Sequence, residues 1–224
     1  ETISREKLAE MMAVGEPLKL QIRRDGWEAS LEMVLPTTNV STPVCMSELL
    51  DDDIAYVHPL LFTMDIAERT LEDLEALKAK GAKRLILDLR GNPGGNAKGA
   101  VDLCDLFLRG RKLVTIMRMM NESAGIAGPM MAAGKRTEFE EWPMVCLVNS
   151  SSASASEMTS GALQDHKRCT IMGEKTFGKG CAQAPLGIPF SRGQRFIYIT
   201  MAKYFLPSDR SEEHTSELQS RQSI

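Results

Sequence analysis

The sequence predicts an α/β protein whose core is a largely parallel, buried β-sheet covered by helices. Strand-like and helix-like segments alternate along most of the chain, which is the pattern of a sheet with helical crossovers. Residues 83–90, KRLILDLR, are rich in apolar residues in the manner of a strand covered on both faces. With 224 residues, 43% hydrophobic and 25% charged, the chain is long enough and apolar enough to bury an ordinary core.

The elements follow from the local patterns in chain order. Alternating or continuous apolar residues predict strands, and apolar residues at a spacing of three and four predict helices. The predicted strands are 54–62, 83–90, 112–119, 144–149 and 168–173, with a strand pair or one long bent strand at 194–207. The predicted helices are 66–81, which ends at a glycine, 97–110 and 155–166.

The two ends of the chain differ from this core. Residues 1–36 predict one helix and a β-hairpin around the Arg-Asp-Gly turn at 24–26, which is too little for an independent domain. We expect this segment to be the end of a domain that begins upstream. Residues 210–224 carry almost no apolar residue, and 210–220 back-translate readily into a common sequencing-library adapter. We expect a non-native or disordered tail and leave it out of functional reasoning.

Composition narrows the function classes. A formal net charge of −3 without a lysine or arginine block argues against nucleic acid or an anionic membrane surface as the main partner. No apolar run approaches the roughly 18 residues that a membrane span requires. The cysteines lack CxxC and CxxH spacing and are interpreted as mostly buried small hydrophobes, with a zinc site and a disulfide framework as the alternatives. These cysteines are Cys45, Cys104, Cys146, Cys169 and Cys181.

A glycine-rich turn follows the buried strand at residues 88–96, DLRGNPGGN. Gly91, Gly94 and Gly95 free the backbone while Pro93 restricts it, and such a turn entering a helix can direct backbone N–H groups at an anion. The pattern matches neither GxxxxGK[ST] nor GxGxxG. An ordinary tight turn between strand and helix explains the residues equally well.

A second unusual connection between a strand and a helix is VNSSSASASEM, residues 148–158. It lies between a predicted buried strand and a predicted helix, where a flexible linker has no place. Ser152 and Ser154 suit the capping position of that helix. A nucleophilic serine would also gain from the helix dipole there, and its alanine neighbours would leave the hydroxyl accessible. The residues alone leave both interpretations open.

A nucleophilic serine needs a base. His166 lies near the far end of the same predicted helix, nearly 20 Å from Ser154 at about 1.5 Å per residue, and cannot reach it. His58 has no motif around it. Lys179 lies between two glycines in a Gly-Lys-Gly turn, within the segment GEKTFGKGCAQ at 173–183. It is either solvated or turned inward, where loss of water favours a neutral amine that can accept a serine proton.

Three of these segments together resemble one family, the carboxyl-terminal processing peptidases or tail-specific proteases. The matching segments are LILDLRGNPGG (85–95), VNSSSASASEMTSGALQDHKR (148–168) and GEKTFGKGCAQ (173–183). LKLQIRRDG (18–26) and TMAKYFLPS (200–208) are similar to the family as well, so the resemblance covers about residues 1–208.

The resemblance implies a serine peptidase site without cofactor or metal. Ser154 takes the position of the nucleophile, Lys179 that of its base, and Gln183 that of the residue that orients the lysine amine. Asp165 falls at a supporting position for which a structural role is the alternative.

The resemblance also implies an oxyanion hole made of two backbone N–H groups. One comes from Ala155, and the other from a glycine of the loop at 91–95. Gly94 is the first choice and Gly95 the second.

The fold implied by the resemblance is a ClpP/crotonase-like catalytic core with a PDZ domain. Residues 1–36 are then the C-terminal part of the PDZ domain, without the loop that grips a substrate carboxylate. Residues 37–209 are the serine peptidase core, truncated at its C-terminal end, and 210–224 are the tail.

The implied function is that of a serine endopeptidase that cleaves proteins from or near their C-terminus and recognises apolar C-terminal residues. Its partners are polypeptide substrates, with a regulatory partner or homo-oligomer, and no nucleic acid or membrane span. The implied location is the periplasm or cell envelope. The alternatives are a catalytically inactive peptide-binding or scaffold homologue and, from fold analogy alone, a crotonase-like acyl-CoA enzyme.

Overall fold

The chain divides into two compact units, Glu1–Thr42 and Pro43–Ile224. The computed structural model describes residues 18–22, 31–35, 44–51, 53–119, 128–187 and 196–211. In the first unit, strands β1 (Leu18–Ile22) and β2 (Leu31–Leu35) pair antiparallel. This confirms the predicted hairpin, whereas the helix predicted before it and the tail beyond residue 211 lie outside the described residues.

The core of the second unit is a five-stranded sheet. Four of its strands run parallel, and the edge strand β3 pairs antiparallel with its neighbour. The sheet order is β3-β4-β5-β8-β9. The bounds are Cys45–Leu50 for β3, Ile54–Pro59 for β4, Arg84–Asp88 for β5, Met144–Val148 for β8 and Thr170–Gly173 for β9. The parallel, buried core predicted from the sequence is confirmed, while β3 was not predicted.

A second, antiparallel sheet of four strands was also not predicted. Its order is β10-β11-β6-β7. The bounds are Leu113–Met119 for β6, Gly128–Met131 for β7, Cys181–Gly187 for β10 and Phe196–Phe205 for β11. The segment predicted as a strand pair or one bent strand is the single strand β11. Residues 181–183, for which no strand was predicted, begin β10, with a β-bulge between Ala182 and Gln183.

Three α-helices accompany the sheets within the described ranges: α1 (Ile66–Ala79), α2 (Ala97–Asp105) and α3 (Ala155–Asp165). Helix α1 buries Ile66, Thr70, Leu74 and Leu77, which recur at helical spacing and face the sheet core. The described part of the chain has no helix that combines the length and apolarity of a membrane span. A short 3₁₀ helix, Glu138–Glu141, precedes β8.

Helix α2 ends at Asp105, five residues before the predicted end. The chain tightens there, because the Phe107 N–H donates to the Cys104 carbonyl at 3.0 Å instead of continuing the α-helical pattern. The Phe107 carbonyl is taken by the side chain of Arg168, which lies far away in sequence. A tertiary contact therefore replaces the last turn of the helix.

The Arg168 guanidinium binds three backbone carbonyls at once. Nε donates to Phe107 at 2.8 Å, and Nη2 donates to Phe139 at 2.7 Å and to Trp142 at 2.9 Å. Burial lowers the pKa of Arg168, but the ordinary value is so high that the group stays charged near neutral pH. The side chain thus joins the end of α2, the 3₁₀ helix and the entry to β8.

We expect Arg168→Met to lower the free energy of unfolding by about 2–4 kcal/mol, because it leaves three carbonyls without their donors. Urea unfolding at equilibrium measures this value. The matched control is Arg69→Met, since Arg69 and Asp65 form a solvent-exposed ion pair. The control should change stability by less than about 1 kcal/mol. Equal effects of the two substitutions would show that the three carbonyl contacts contribute no special stability.

Candidate active site

Two loops meet where the parallel strands β5 and β8 end. The carboxyl ends of neighbouring parallel strands lie at the same sheet edge, so residues 89–96 and 149–154 are brought together. The Ala153 N–H donates to the Asn92 carbonyl at 3.1 Å, and the Ser156 hydroxyl donates to the same oxygen at 2.9 Å. The Ser152 hydroxyl donates to the Leu89 carbonyl at 2.7 Å. The hydroxyls of Ser152 and Ser156 therefore fasten one loop to the other.

Ser154 occupies a strained backbone position immediately before α3. Its φ of 56° and ψ of −112° lie in a region that residues with a side chain rarely adopt. Such a conformation costs about 1–3 kcal/mol and persists only where the surroundings hold it. The buried hydroxyls of Ser152 and Ser156 fix the chain on either side, and Ser154 itself stays partly exposed. The serine is thus held at the surface of a rigid turn.

Gly94 lies directly against this turn. A Cβ atom at Gly94 would stand 2.8 Å from Ser154 Cβ and 2.9 Å from the Ala155 nitrogen. The φ of Gly94 is +99°, so the position excludes a side chain both for lack of space and for backbone conformation. The glycine at 94 is required for the close approach of the two loops.

The predicted oxyanion donors differ in their availability. The Ala155 N–H opens α3, and no hydrogen bond to it is found among the described residues. The Gly94 N–H donates to Asn92 Oδ1 at 2.9 Å, so the first choice from the sequence is already engaged. The Gly95 N–H has no such partner in the described part of the chain. Of the predicted donors, the Ala155 and Gly95 N–H groups are therefore the ones without a hydrogen-bond partner among the described residues.

A buried carboxylate connects the serine to the predicted base. Glu157 is fully buried, and its Oε2 accepts from the Ser154 N–H at 2.8 Å and from the Lys179 N–H at 2.9 Å. Its Oε1 accepts from the Gly178 N–H at 2.7 Å. Residues 154 and 179, distant in sequence, thus share one hydrogen-bonding group.

Sequence reasoning missed this role of Glu157. A glutamate three residues after a capping serine is the spacing of a capping box, and that pattern does indicate the bond to the Ser154 N–H. Nothing local indicates the bonds to Gly178 and Lys179. They depend on where the chain returns after β9.

The side chains of Lys179 and Gln183 are less constrained than their backbones. Lys179 is partly buried, and no ion pair or hydrogen bond of its amine is recorded among the described residues. Gln183 is exposed on β10, where its Cα partner on β11 is Thr200. Within the described part of the chain, these two side chains form no hydrogen bond with each other, so the predicted orienting contact is not made.

Asp165 lies at the opposite end of α3 from Ser154, about 16 Å away along the axis. Its Oδ2 accepts from the Ser208 N–H at 2.9 Å, and its Oδ1 accepts from Arg210 at 2.5 Å. These bonds fasten the segment after β11 to the core and include a residue from the range assigned to the tail. In this geometry Asp165 supports the fold and does not touch Ser154.

A second buried carboxylate stands at the end of β5. Asp88 accepts from Tyr56 at 2.7 Å and from the Arg90 guanidinium at 2.6 Å. Burial alone would raise the pKa of Asp88, but the hydrogen bonds from Arg90 and Tyr56 outweigh it and hold that pKa below its ordinary value. His58 Nδ1 is hydrogen-bonded to the Asp88 carbonyl at 2.7 Å, so the histidine side chain contacts the backbone just before the loop at 89–96.

The remaining candidates from the sequence are His166 and the cysteines. His166 Nε2 bonds to the Leu113 carbonyl at 2.7 Å. All five cysteines are free, and Cys104 and Cys146 are buried. Burial raises the pKa of Cys104 to about 12, so that thiol stays protonated and packs as a small apolar group.

Comparison with known proteins shows that the chain is similar to one peptidase family and to processing proteases. A model of peptidase family S41 matches residues 53–219. A carboxyl-terminal-processing protease of Synechocystis is 33% identical over 194 residues, which is 85% of this chain and 43% of that protein. A carboxy-terminal processing protease of Bacillus subtilis is 32% identical over 169 residues, 75% of this chain and 35% of that protein. The chain spans less than half the length of these relatives.

Solved structures show the same fold. A photosystem II D1 C-terminal processing protease superposes with a TM-score of 0.64 and 25% identity, covering 89% of this chain and 53% of that one. A lipoprotein from Streptococcus agalactiae shares the fold with a TM-score of 0.59 and 18% identity, covering 77% of this chain and 63% of that one. The family match includes both loops of the site, Glu157 and Lys179. The chain belongs to peptidase family S41.

Proposed function

We propose that the protein is a serine endopeptidase in which Ser154 is the nucleophile and Lys179 the general base. The observation that carries the proposal is the Glu157 carboxylate, which binds the backbones of both residues. In the neutral state, the Lys179 amine takes the Ser154 proton as Oγ attacks a peptide carbonyl. The lysine then protonates the leaving amine and later activates the water that hydrolyses the acyl-enzyme.

Negative charge develops on the carbonyl oxygen during that attack. The Ala155 N–H is one donor to it, aided by its place at the start of α3. We propose Gly95 as the second donor, because use of Gly94 requires its bond to Asn92 Oδ1 to break. Gln183 is proposed to orient the Lys179 amine when a substrate is bound.

The relatives support a proposal for the substrate class. Two of them are named as carboxyl-terminal processing proteases, and we propose the same cleavage of polypeptides near their C-terminus. The proposed preference for apolar terminal residues comes from the family resemblance of the sequence. Residues 1–36 as part of a PDZ domain, a regulatory partner or homo-oligomer, and a location in the periplasm or cell envelope belong to the same proposal.

Covalent labelling tests the nucleophile. The full-length protein is treated with a fluorophosphonate, and the modified peptide is located by mass spectrometry. We expect the label on Ser154, with no labelling of Ser154→Ala and normal labelling of Ser151→Ala, since Ser151 is exposed in the same loop. An unlabelled, folded wild-type protein would contradict the proposal and favour the peptide-binding scaffold.

A further inference from the structure

Tyr204 brings a buried hydroxyl from the antiparallel sheet to the back of the candidate active site. The residue lies on β11 and is fully buried. Its hydroxyl donates to the carbonyl of Lys179 and lies 3.3 Å from the carbonyl oxygen of Ser154. Glu157 Oε2 stands 3.5 Å away. The Tyr204 hydroxyl therefore lies within hydrogen-bonding reach of an oxygen atom of Ser154, of Glu157 and of Lys179, the three residues that define the site.

The chemistry of these neighbours decides how the hydroxyl is used. The two carbonyl oxygens and the carboxylate oxygen are acceptors, and a phenol has only one proton to donate. The Lys179 carbonyl oxygen is the nearest of the three acceptors, so we assign the proton to it. The Lys179 N–H is donated to Glu157 on the other side. Both polar groups of the Lys179 backbone are thus held by buried side chains.

The strand that carries Tyr204 is itself firmly placed. The Tyr204 N–H donates to the Gly180 carbonyl at 3.0 Å, directly after the lysine. Its Cα partner on β6 is Met117. The side chain of Leu206, further along the chain, packs so closely on α3 that a Cβ at Gly161 would stand 2.4 Å from Leu206 Cδ1. The hydroxyl is therefore presented from a rigid element.

We propose that Tyr204 is a positioning residue for the general base, acting through the backbone of Lys179. The inference rests on the proposed function, in which the Lys179 amine accepts the Ser154 proton. Without the hydroxyl, the peptide unit between Lys179 and Gly180 loses its only recorded side-chain donor in the described residues and can rotate. Rotation there swings the lysine side chain, and a displacement of about 1 Å can cost about 100-fold in rate.

Tyr204→Phe tests this inference in the full-length protein, because it removes one oxygen and keeps the buried ring. We expect kcat for peptide cleavage to fall by about 10- to 100-fold while KM changes less than about twofold. The matched control is Tyr198→Phe on the same strand; this residue is 69% exposed, and the variant should keep wild-type kcat. Hydrogen exchange, read by mass spectrometry, should show faster exchange at residues 178–180 and unchanged exchange in β5 and β8.

The outcomes separate this inference from the proposed function. A folded Tyr204→Phe enzyme with wild-type kcat overturns the positioning role, even when Ser154→Ala and Lys179→Ala are inactive. A loss of activity that merely follows the fraction of unfolded protein, with faster exchange throughout the core, overturns it as well. Failure of the proposed function is recognised independently, because the wild-type protein would then resist the fluorophosphonate.

Discussion

Lys179→Ala in the full-length protein is expected to lower kcat by about 10⁴-fold or more, because only the oxyanion donors and substrate binding remain to catalyse the reaction. The bonds that hold position 179 come from its backbone N–H and carbonyl, which alanine retains. The folded structure should therefore survive, as circular dichroism and a thermal unfolding curve will show. Steady-state cleavage of an unfolded polypeptide with an apolar C-terminus measures the loss.

Lys175→Ala is the matched control for that substitution. Lys175 is an exposed lysine in the same loop, so its substitution removes the same kind of side chain without touching Ser154 or Glu157. We expect wild-type kcat for the control. Retained hydrolysis in Lys179→Ala, at more than a few per cent of wild type, would remove Lys179 from the role of base.

Gly94→Ala is expected to disable the site by a steric route, with a fall in kcat of at least about 100-fold. The new Cβ would stand 2.6 Å from the Ala153 carbonyl oxygen and 2.8 Å from Ser154 Cβ, so the nucleophile has to move. A positive φ adds backbone strain. The combined effect on the free energy of unfolding should be about 3–5 kcal/mol, measured by urea unfolding.

Gly91→Ala separates the two parts of that effect. Gly91 has a φ of +73° in the same loop, but a Cβ there would meet no atom within 4 Å. We expect a loss of about 1–2 kcal/mol from strain alone and near-normal kcat. Equal activity of the two alanine variants would show that close packing of Gly94 on Ser154 does not matter for catalysis.

The sequence was most informative where local pattern and burial coincide. The parallel strands β4, β5, β8 and β9 are short apolar runs, and each was placed within a few residues of its observed bounds. The two loops that meet at their ends were recognised from glycine and serine, because such residues are needed where backbones approach closely. Helices α2 and α3 were also predicted from the local pattern of the sequence.

The antiparallel sheet escaped prediction because its pairing is nonlocal. The distant pairing is that of β11 with β6, which joins strands far apart in the sequence. Gln183 lies on β10, which pairs with the next strand, β11, and no strand was predicted there. Glu157 escaped for a related reason. Its spacing from Ser154 indicates a helix cap, whereas its bonds to Gly178 and Lys179 exist only after β9 and the chain that follows have folded onto α3. Likewise, only the structure shows that Asn92 engages the Gly94 N–H.

The shared carboxylate of Glu157 also has a consequence for the protein while it is still folding. In the proposed mechanism the serine and the lysine are productive only when segments 25 positions apart are docked on one side chain, so a nascent or partly opened chain carries no working pair. A protease built in this way is latent until its own folding is finished.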